Sequence, residues 1–161
     1  MSLKIGDKLP NGTLYEMSED GPKPVAVADL VKGKRVVIFG LPGAFTPTCS
    51  ALHVPGYVGQ AEQLRAKGVD QVVCLSVNDA FVMGAWGKDQ KVGDKVRMLG
   101  DGSALWTKAL GLELDLTERG MGMRCQRFSM LVDDGVVKSL NIEAPGKFEV
   151  SDAQTMLTSL D

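Results

Sequence analysis

Polar and apolar positions change period several times along the chain, and the changes predict its elements. "RVVIFGL" (35–41) is a continuous apolar run rich in β-branched residues that stops at Pro42-Gly43. Such a run predicts a strand buried on both faces. "QVVCLSV" (71–77) has the same character and stops at Asn78-Asp79. The stretch between them, 47–67, reads as a helix closed by Gly68, so 35–77 predicts a right-handed βαβ unit. Further on, "DAFVMGAWGKDQ" (79–90) predicts a helix capped by Asn78 or Asp79. "KVRMLGD" (95–101) predicts a strand, and "SALWTKALG" (103–111) a short helix with a glycine stop.

The pattern then changes. "RFSMLVDDGVVKSLNIE" (127–143) places two β-rich runs around Asp134-Gly135, a strong signal for a tight hairpin. The tail "SDAQTMLTSL" (151–160) begins with Ser151 as a helix cap and carries Met156, Leu157 and Leu160 at helical spacing. A parallel βαβ half followed by an antiparallel hairpin and a terminal helix predicts a thioredoxin-like α/β sandwich: a central mixed sheet flanked by helices. A doubly wound α/β sheet is the second reading. "SEDGPKP" (18–24) and "IEAPGKF" (142–148) are the most loop-like segments. Neither separates halves that each hold a core, so residues 1–161 read as one domain.

Composition narrows the function classes. The chain has 161 residues, 44% hydrophobic and 24% charged, with a formal net charge of −2. That balance gives no footprint for nucleic acid or an anionic membrane, and Arg124 with Arg127 is the nearest approach to a basic cluster. No stretch approaches the ~18 apolar residues of a membrane span, and the N-terminus lacks the apolar core of a secretory leader. Cys49, Cys74 and Cys125 are an odd set with no C-x-x-C pair, which points to a reducing compartment, most simply the cytoplasm.

Candidate chemistry gathers in "LPGAFTPTCSALHVPGY" (41–57). Thr46-Pro47 is a helix start, with threonine as N-cap and proline in the first helical position. Cys49 then falls in the first turn, where unpaired backbone N–H groups and the helix dipole favour an anion. An ordinary thiol, with a pKa of ~8.5, is only a few per cent thiolate at neutral pH; helix N-termini and nearby cations shift thiols toward the anion. Pro55 cannot donate to the carbonyl of Ala51, so residues 48–54 are expected to open locally.

The stretch "PGAFTPTCS" (42–50), together with "CLSVNDAFVMGAW" (74–86) and "RFSMLVDDGVVKSLNIE" (127–143), resembles the peroxiredoxins, specifically their type II, peroxiredoxin-5-like branch. The resemblance implies a thiol peroxidase acting on hydrogen peroxide and alkyl hydroperoxides without metal or organic cofactor. Cys49 would be the peroxidatic nucleophile and would pass through a sulfenic acid. Thr46 would hydrogen-bond the thiolate and the peroxide, Pro42 would wall the pocket, and Arg127 would stabilise the thiolate and polarise the O–O bond. The family also implies recycling by glutaredoxin with glutathione or by thioredoxin. It further implies a homodimer built through loops near the site, with Phe45 and Phe81 as interface candidates; local core is the plainer reading of Phe45, Phe81, Met83 and Trp86, most of all for Trp86.

The remaining residues carry weaker readings. Cys74 reads as a buried strand residue. Cys125, two residues before Arg127, is a candidate resolving thiol if one strand carries both side chains to the same face; an incidental loop thiol is the plainer reading. His53, at i+4 from Cys49, raises a Cys–His nucleophile pair or a metal site, but no third orienting group or further ligand is evident in the sequence. A histidine on the solvent side, or one supporting the site from behind, is the better expectation. A non-catalytic thioredoxin-like binding module is the remaining class.

Overall fold

The structure, a computed structural model, describes residues 2–160. A seven-stranded mixed sheet forms its centre. In chain order the elements are β1 (Thr13–Ser18), β2 (Gly21–Ala26), α1 (Val27–Val31), β3 (Arg35–Leu41), a π-helical turn (Cys49–His53) leading into α2 (Val54–Ala66), β4 (Gln71–Ser76), α3 (Ala80–Asp89), β5 (Arg97–Gly100) and α4 (Leu105–Ala109). β6 (Glu113–Leu116), β7 (Gly122–Cys125), β8 (Phe128–Asp133), β9 (Val136–Ile142) and α5 (Ala153–Ser159) follow. The sheet order is β2-β1-β5-β4-β3-β8-β9, and β6 pairs with β7 in a separate ribbon. β3, β4 and β5 run parallel, while β8 runs antiparallel to β3. This is the thioredoxin-like arrangement that the sequence pattern predicts.

Alternation along β3 divides the core into two layers. Val36 and Ile38 enter the layer with Val73, Leu99, Phe128 and Met130, whereas Val37, Phe39 and Leu41 enter the layer with Cys49, Tyr57, Leu64 and Trp86. Successive strand side chains point to opposite faces, so one continuous apolar run serves both layers. Gly40 has a separate reason to lack a side chain: a Cβ there would lie 2.2 Å from the Phe128 ring. That close approach seats β8 against the end of β3, with Gly40 opposite Phe128 in the register. The residue before Phe128 is Arg127, so the pairing delivers Arg127 to the carboxyl end of β3.

Several sequence expectations hold. Asp79 caps α3 by accepting from Val82 N, and the Asp134-Gly135 turn has φ of 47° and 83°, as a tight hairpin of this hand requires. Three others need correction. Residues 18–24 are not a loop: they span the turn and much of the second strand of the β1–β2 hairpin, with Pro22 and Pro24 in β2 at the sheet edge. Prolines are tolerated there because an edge strand leaves N–H positions facing away from the ladder. The cap of α5 is Asp152, which accepts from Thr155 N, rather than Ser151, whose side chain is engaged elsewhere. Cys125 ends β7 and Arg127 lies beyond it, so no single strand aligns the two side chains. Among the described residues no helix is long and apolar enough to cross a membrane.

Candidate active site

Leu41 ends β3, and the chain then turns through Pro42–Thr46 before becoming helical at Pro47. Asn78 holds this turn, its side-chain carbonyl accepting from Ala44 N at 3.0 Å and from the Ser76 hydroxyl at 2.6 Å. On the other side Arg124 donates to the Pro42 carbonyl at 3.2 Å and to the Met121 carbonyl at 2.9 Å. Phe45, at the tip, holds φ of 64° and stays 55% exposed. A left-handed conformation in an aromatic residue costs of order 1–3 kcal/mol, and the anchors at Asn78 and Arg124 hold it in place.

Thr46 takes the N-cap position as expected: its carbonyl accepts from Ser50 N at 3.0 Å. Its hydroxyl, however, donates to the Gly43 carbonyl at 2.7 Å. The single hydroxyl proton is thus committed to the turn, and the oxygen's lone pairs are what Thr46 offers to the site. The helix then widens. Val54 N donates to the Cys49 carbonyl, five residues back, over the π turn Cys49–His53. In a regular helix the Pro55 ring would collide with the Ala51 carbonyl, and a wider turn relieves that collision. The Ser50 hydroxyl accepts from Trp86 Nε1 at 3.0 Å, tying the turn to α3.

Cys49 is fully buried. One guanidinium nitrogen of Arg127 donates to its sulfur at 3.1 Å, and the other meets His53 Nδ1 at 2.8 Å. Arginine has only donors, so His53 Nδ1 is the acceptor and the ring proton sits on Nε2. Nε2 in turn donates to the Ser151 carbonyl at 3.0 Å, and the Tyr57 hydroxyl donates to the same carbonyl at 2.9 Å. Phe39 packs beneath: its ring stacks on Tyr57 at 4.1 Å and contacts His53 at 4.8 Å. Phe148 covers the other side, 5.0 Å from the His53 ring and 5.8 Å from the Arg127 guanidinium. Burial, together with the neighbouring positive charge of Arg127, pushes the His53 pKa down to about 3. His53 is therefore neutral at physiological pH and remains an acceptor for Arg127.

The solvent side of the histidine expectation is thus corrected, since His53 is buried behind Arg127 rather than exposed. Nor is it a base for Cys49, since Arg127 occupies its free lone pair. Cys49 and Cys74 belong to the same core layer and Cys125 to the other. Burial pushes both the Cys74 and the Cys125 thiol well above the ordinary range, which keeps them protonated. Among the described residues there is no group of three or more His, Cys, Asp or Glu side chains able to hold a metal. A cavity of about 150 Å³ lies beside Arg127, lined by Pro42, Thr48, Gln126, Arg127, Glu143 and Lys147. The sequence signals Cys49, Pro42, Thr46 and Arg127, but its only hint of His53 is the i+4 spacing, and it gives none of Glu143.

A buried cysteine at a helix start, addressed by one guanidinium, invites comparison with known proteins. The redoxin family model matches residues 4–157. The chain belongs to the redoxin family, in its type II peroxiredoxin branch. Peroxiredoxin-2C of Oryza sativa subsp. japonica is 52% identical over 98% of this chain and 98% of its own length. The chloroplastic peroxiredoxin-2E of Arabidopsis thaliana is 50% identical over 99% of this chain and 70% of its own. Reduced Prx3 of Vibrio vulnificus, solved in complex with H2O2, is 52% identical, covers 99% of both chains and superposes with a TM-score of 0.95. Peroxiredoxins are thiol-dependent peroxidases, and so is this one.

Proposed function

We propose that Cys49 reduces hydrogen peroxide and alkyl hydroperoxides, and that an external thiol returns it to the starting state. The observation that carries this reading is the 3.1 Å contact between the Arg127 guanidinium and a cysteine sulfur in the first turn of a helix. The contact aims a fixed donor at the sulfur that attacks, and it does so at the start of a helix. In the reaction the sulfur forms a bond to the terminal peroxide oxygen while the O–O bond breaks. The departing oxygen takes a proton and leaves as water or an alcohol. Cysteine is oxidised by two electrons to the sulfenic acid, and the peroxide is reduced by two. Negative charge grows on the leaving oxygen, and Arg127 is placed to stabilise it in a site closed to bulk water. Pro42 walls the approach, and Thr46 offers its oxygen as an acceptor for the peroxide O–H. The Vibrio vulnificus relative bound to H2O2 supports the peroxide class.

For recycling, two equivalents of a small or protein thiol convert the sulfenic acid to thiol and water while becoming a disulfide. The burial of Cys74 and Cys125 supports an external reductant over an internal one. Glutaredoxin with glutathione and thioredoxin are the two reductants to compare. A peroxide-consumption assay with each system in parallel, repeated on Cys125→Ser, tests this reading. Turnover retained by Cys125→Ser supports the one-cysteine cycle, and turnover abolished there assigns resolution to Cys125.

We also propose a homodimer. Phe45 and Phe81 are 55% and 61% exposed, and Phe81 borders a groove of about 590 Å³ shared with Tyr15, Leu105 and Trp106. Exposed aromatic side chains around such a groove mark an interaction surface. Sedimentation equilibrium gives a dimer mass if a second copy fills it and a monomer mass if none does. The unpaired thiols suit a reducing compartment, the cytoplasm or, as for the chloroplastic relatives, an organelle.

A further inference from the structure

Glu143 follows the last residue of β9 and exposes only 7% of its surface. Its carboxylate gathers the backbone of the segment leading into α5. One oxygen accepts from Glu149 N at 2.9 Å, Val150 N at 2.9 Å, Ser151 N at 2.8 Å and the Ser151 hydroxyl at 2.7 Å; the other accepts from Glu149 N at 3.0 Å. Its own backbone N–H donates to the Arg127 carbonyl at 2.9 Å. Burial works against the charged carboxylate, but these donors outweigh it and hold Glu143 below the usual carboxylate range.

These donors fix the backbone of residues 149–151 in place. The result is the position of Ser151. The Ser151 carbonyl accepts from His53 Nε2 and, together with Arg127 on Nδ1, holds the tautomer and ring orientation; the Arg127 nitrogen on Nδ1 is next to the one on Cys49. We propose that Glu143 is a positioning residue for peroxide reduction, acting on Cys49 through Ser151, His53 and Arg127. This inference rests on the reading of Cys49 as the peroxidatic cysteine. Glu143 touches no reacting atom; it fixes the direction from which the guanidinium meets the sulfur. Hydrogen-bonded groups acting in one network show strong coupling when a member is removed.

The test exploits the fact that His53 is the only histidine in the chain. In protein labelled with 15N-histidine, the wild type gives one ring system in the Nε2–H tautomer. In Glu143→Ala the Ser151 carbonyl loses its anchor, so the ring signals move toward a tautomer mixture and the rate constant for H2O2 falls about tenfold. Ser151→Ala removes one donor and keeps the backbone carbonyl, so it gives a smaller change in both readouts; it and Glu143→Gln carry the test if Glu143→Ala is not recovered folded. On a His53→Gln background the Glu143 substitution adds no further loss of rate. A changed rate with unchanged His53 signals, changed signals with an unchanged rate, or fully additive losses in the double variant would each overturn the proposal. A wild type that consumes no peroxide would instead overturn the reading of Cys49 on which the proposal rests.

Discussion

Arg127 and His53 meet at 2.8 Å in a contact where the histidine can only accept. The pair is an acceptor holding a donor, not a base activating a nucleophile, and it excludes the Cys–His reading that the i+4 spacing raises. It also ties stability to pH. His53 has a pKa of about 3 in the fold against 6.5 for a free ring, so below pH 6.5 the unfolded chain takes up a proton that the folded chain does not. Stability is then full above pH 6.5 and falls as pH drops, by up to about 1.4 kcal/mol per pH unit from this residue alone. Urea titrations at pH 7, 6 and 5 should show that slope in the wild type and a shallower one in His53→Gln. Parallel slopes would mean the ring takes a proton in the folded state.

Replacing Arg127 separates charge from shape. Lysine keeps the charge but cannot reach sulfur and His53 Nδ1 at once, because it lacks the planar fork. Arg127→Lys should lose about 10²-fold in the rate constant with H2O2, and Arg127→Gln about 10³-fold, the scale of removing a donor from a developing anion. Stopped-flow consumption of H2O2 by the reduced protein checks both. Equal losses in the two variants would show that charge without geometry accounts for nothing.

The π turn Cys49–His53 is the predicted point of local opening. Pro55 has no N–H to give, and the turn is held to α3 through Ser50 and Trp86. Amide exchange across 48–54 should be faster than in β3 and β4, and Pro55→Ala should slow it. The same substitution should slow reduction of the sulfenic acid by a protein thiol, since opening exposes the buried sulfur. Exchange as slow as in the strands would remove local opening from the cycle.

How much of this was legible in the sequence follows from where each contact lies. β3, β4, α3 and the hairpin at Asp134-Gly135 announce themselves because local period, caps and turn residues agree with the fold. β2 does not, because Pro22 and Pro24 read as loop until an edge position explains them. β6 and β7 are four residues each, too short for a period. In the site, Cys49 and Thr46-Pro47 are local, and Arg127 is legible only through its family resemblance. His53 meets Arg127 and Ser151 far along the chain, Glu143 gathers a segment with no regular period, and Pro55 signals a break in the helix without specifying that the break is a π turn. The fully buried Cys125 looks like a partner for Cys49 along the chain but packs in the other core layer.

Gly40 tests how β8 is seated. Its missing side chain makes room for the buried Phe128 ring, whose neighbour is Arg127. Gly40→Ala should destabilise the fold by about 1–3 kcal/mol through overpacking and reduce peroxide consumption in the remaining folded protein. Urea denaturation and a rate measurement on the same sample check the two effects. A stable variant with an unaltered rate would mean that the ring moves aside freely.

The central claim concerns one sulfur atom. The most direct measurement adds one equivalent of H2O2 to the reduced protein in the presence of dimedone, which traps sulfenic acid, and maps the adduct by mass spectrometry. The account predicts an adduct on Cys49, none on Cys74 or Cys125, and none anywhere in Cys49→Ser. An adduct on either of the other two cysteines, or a wild type that consumes peroxide without a modified Cys49, would contradict it.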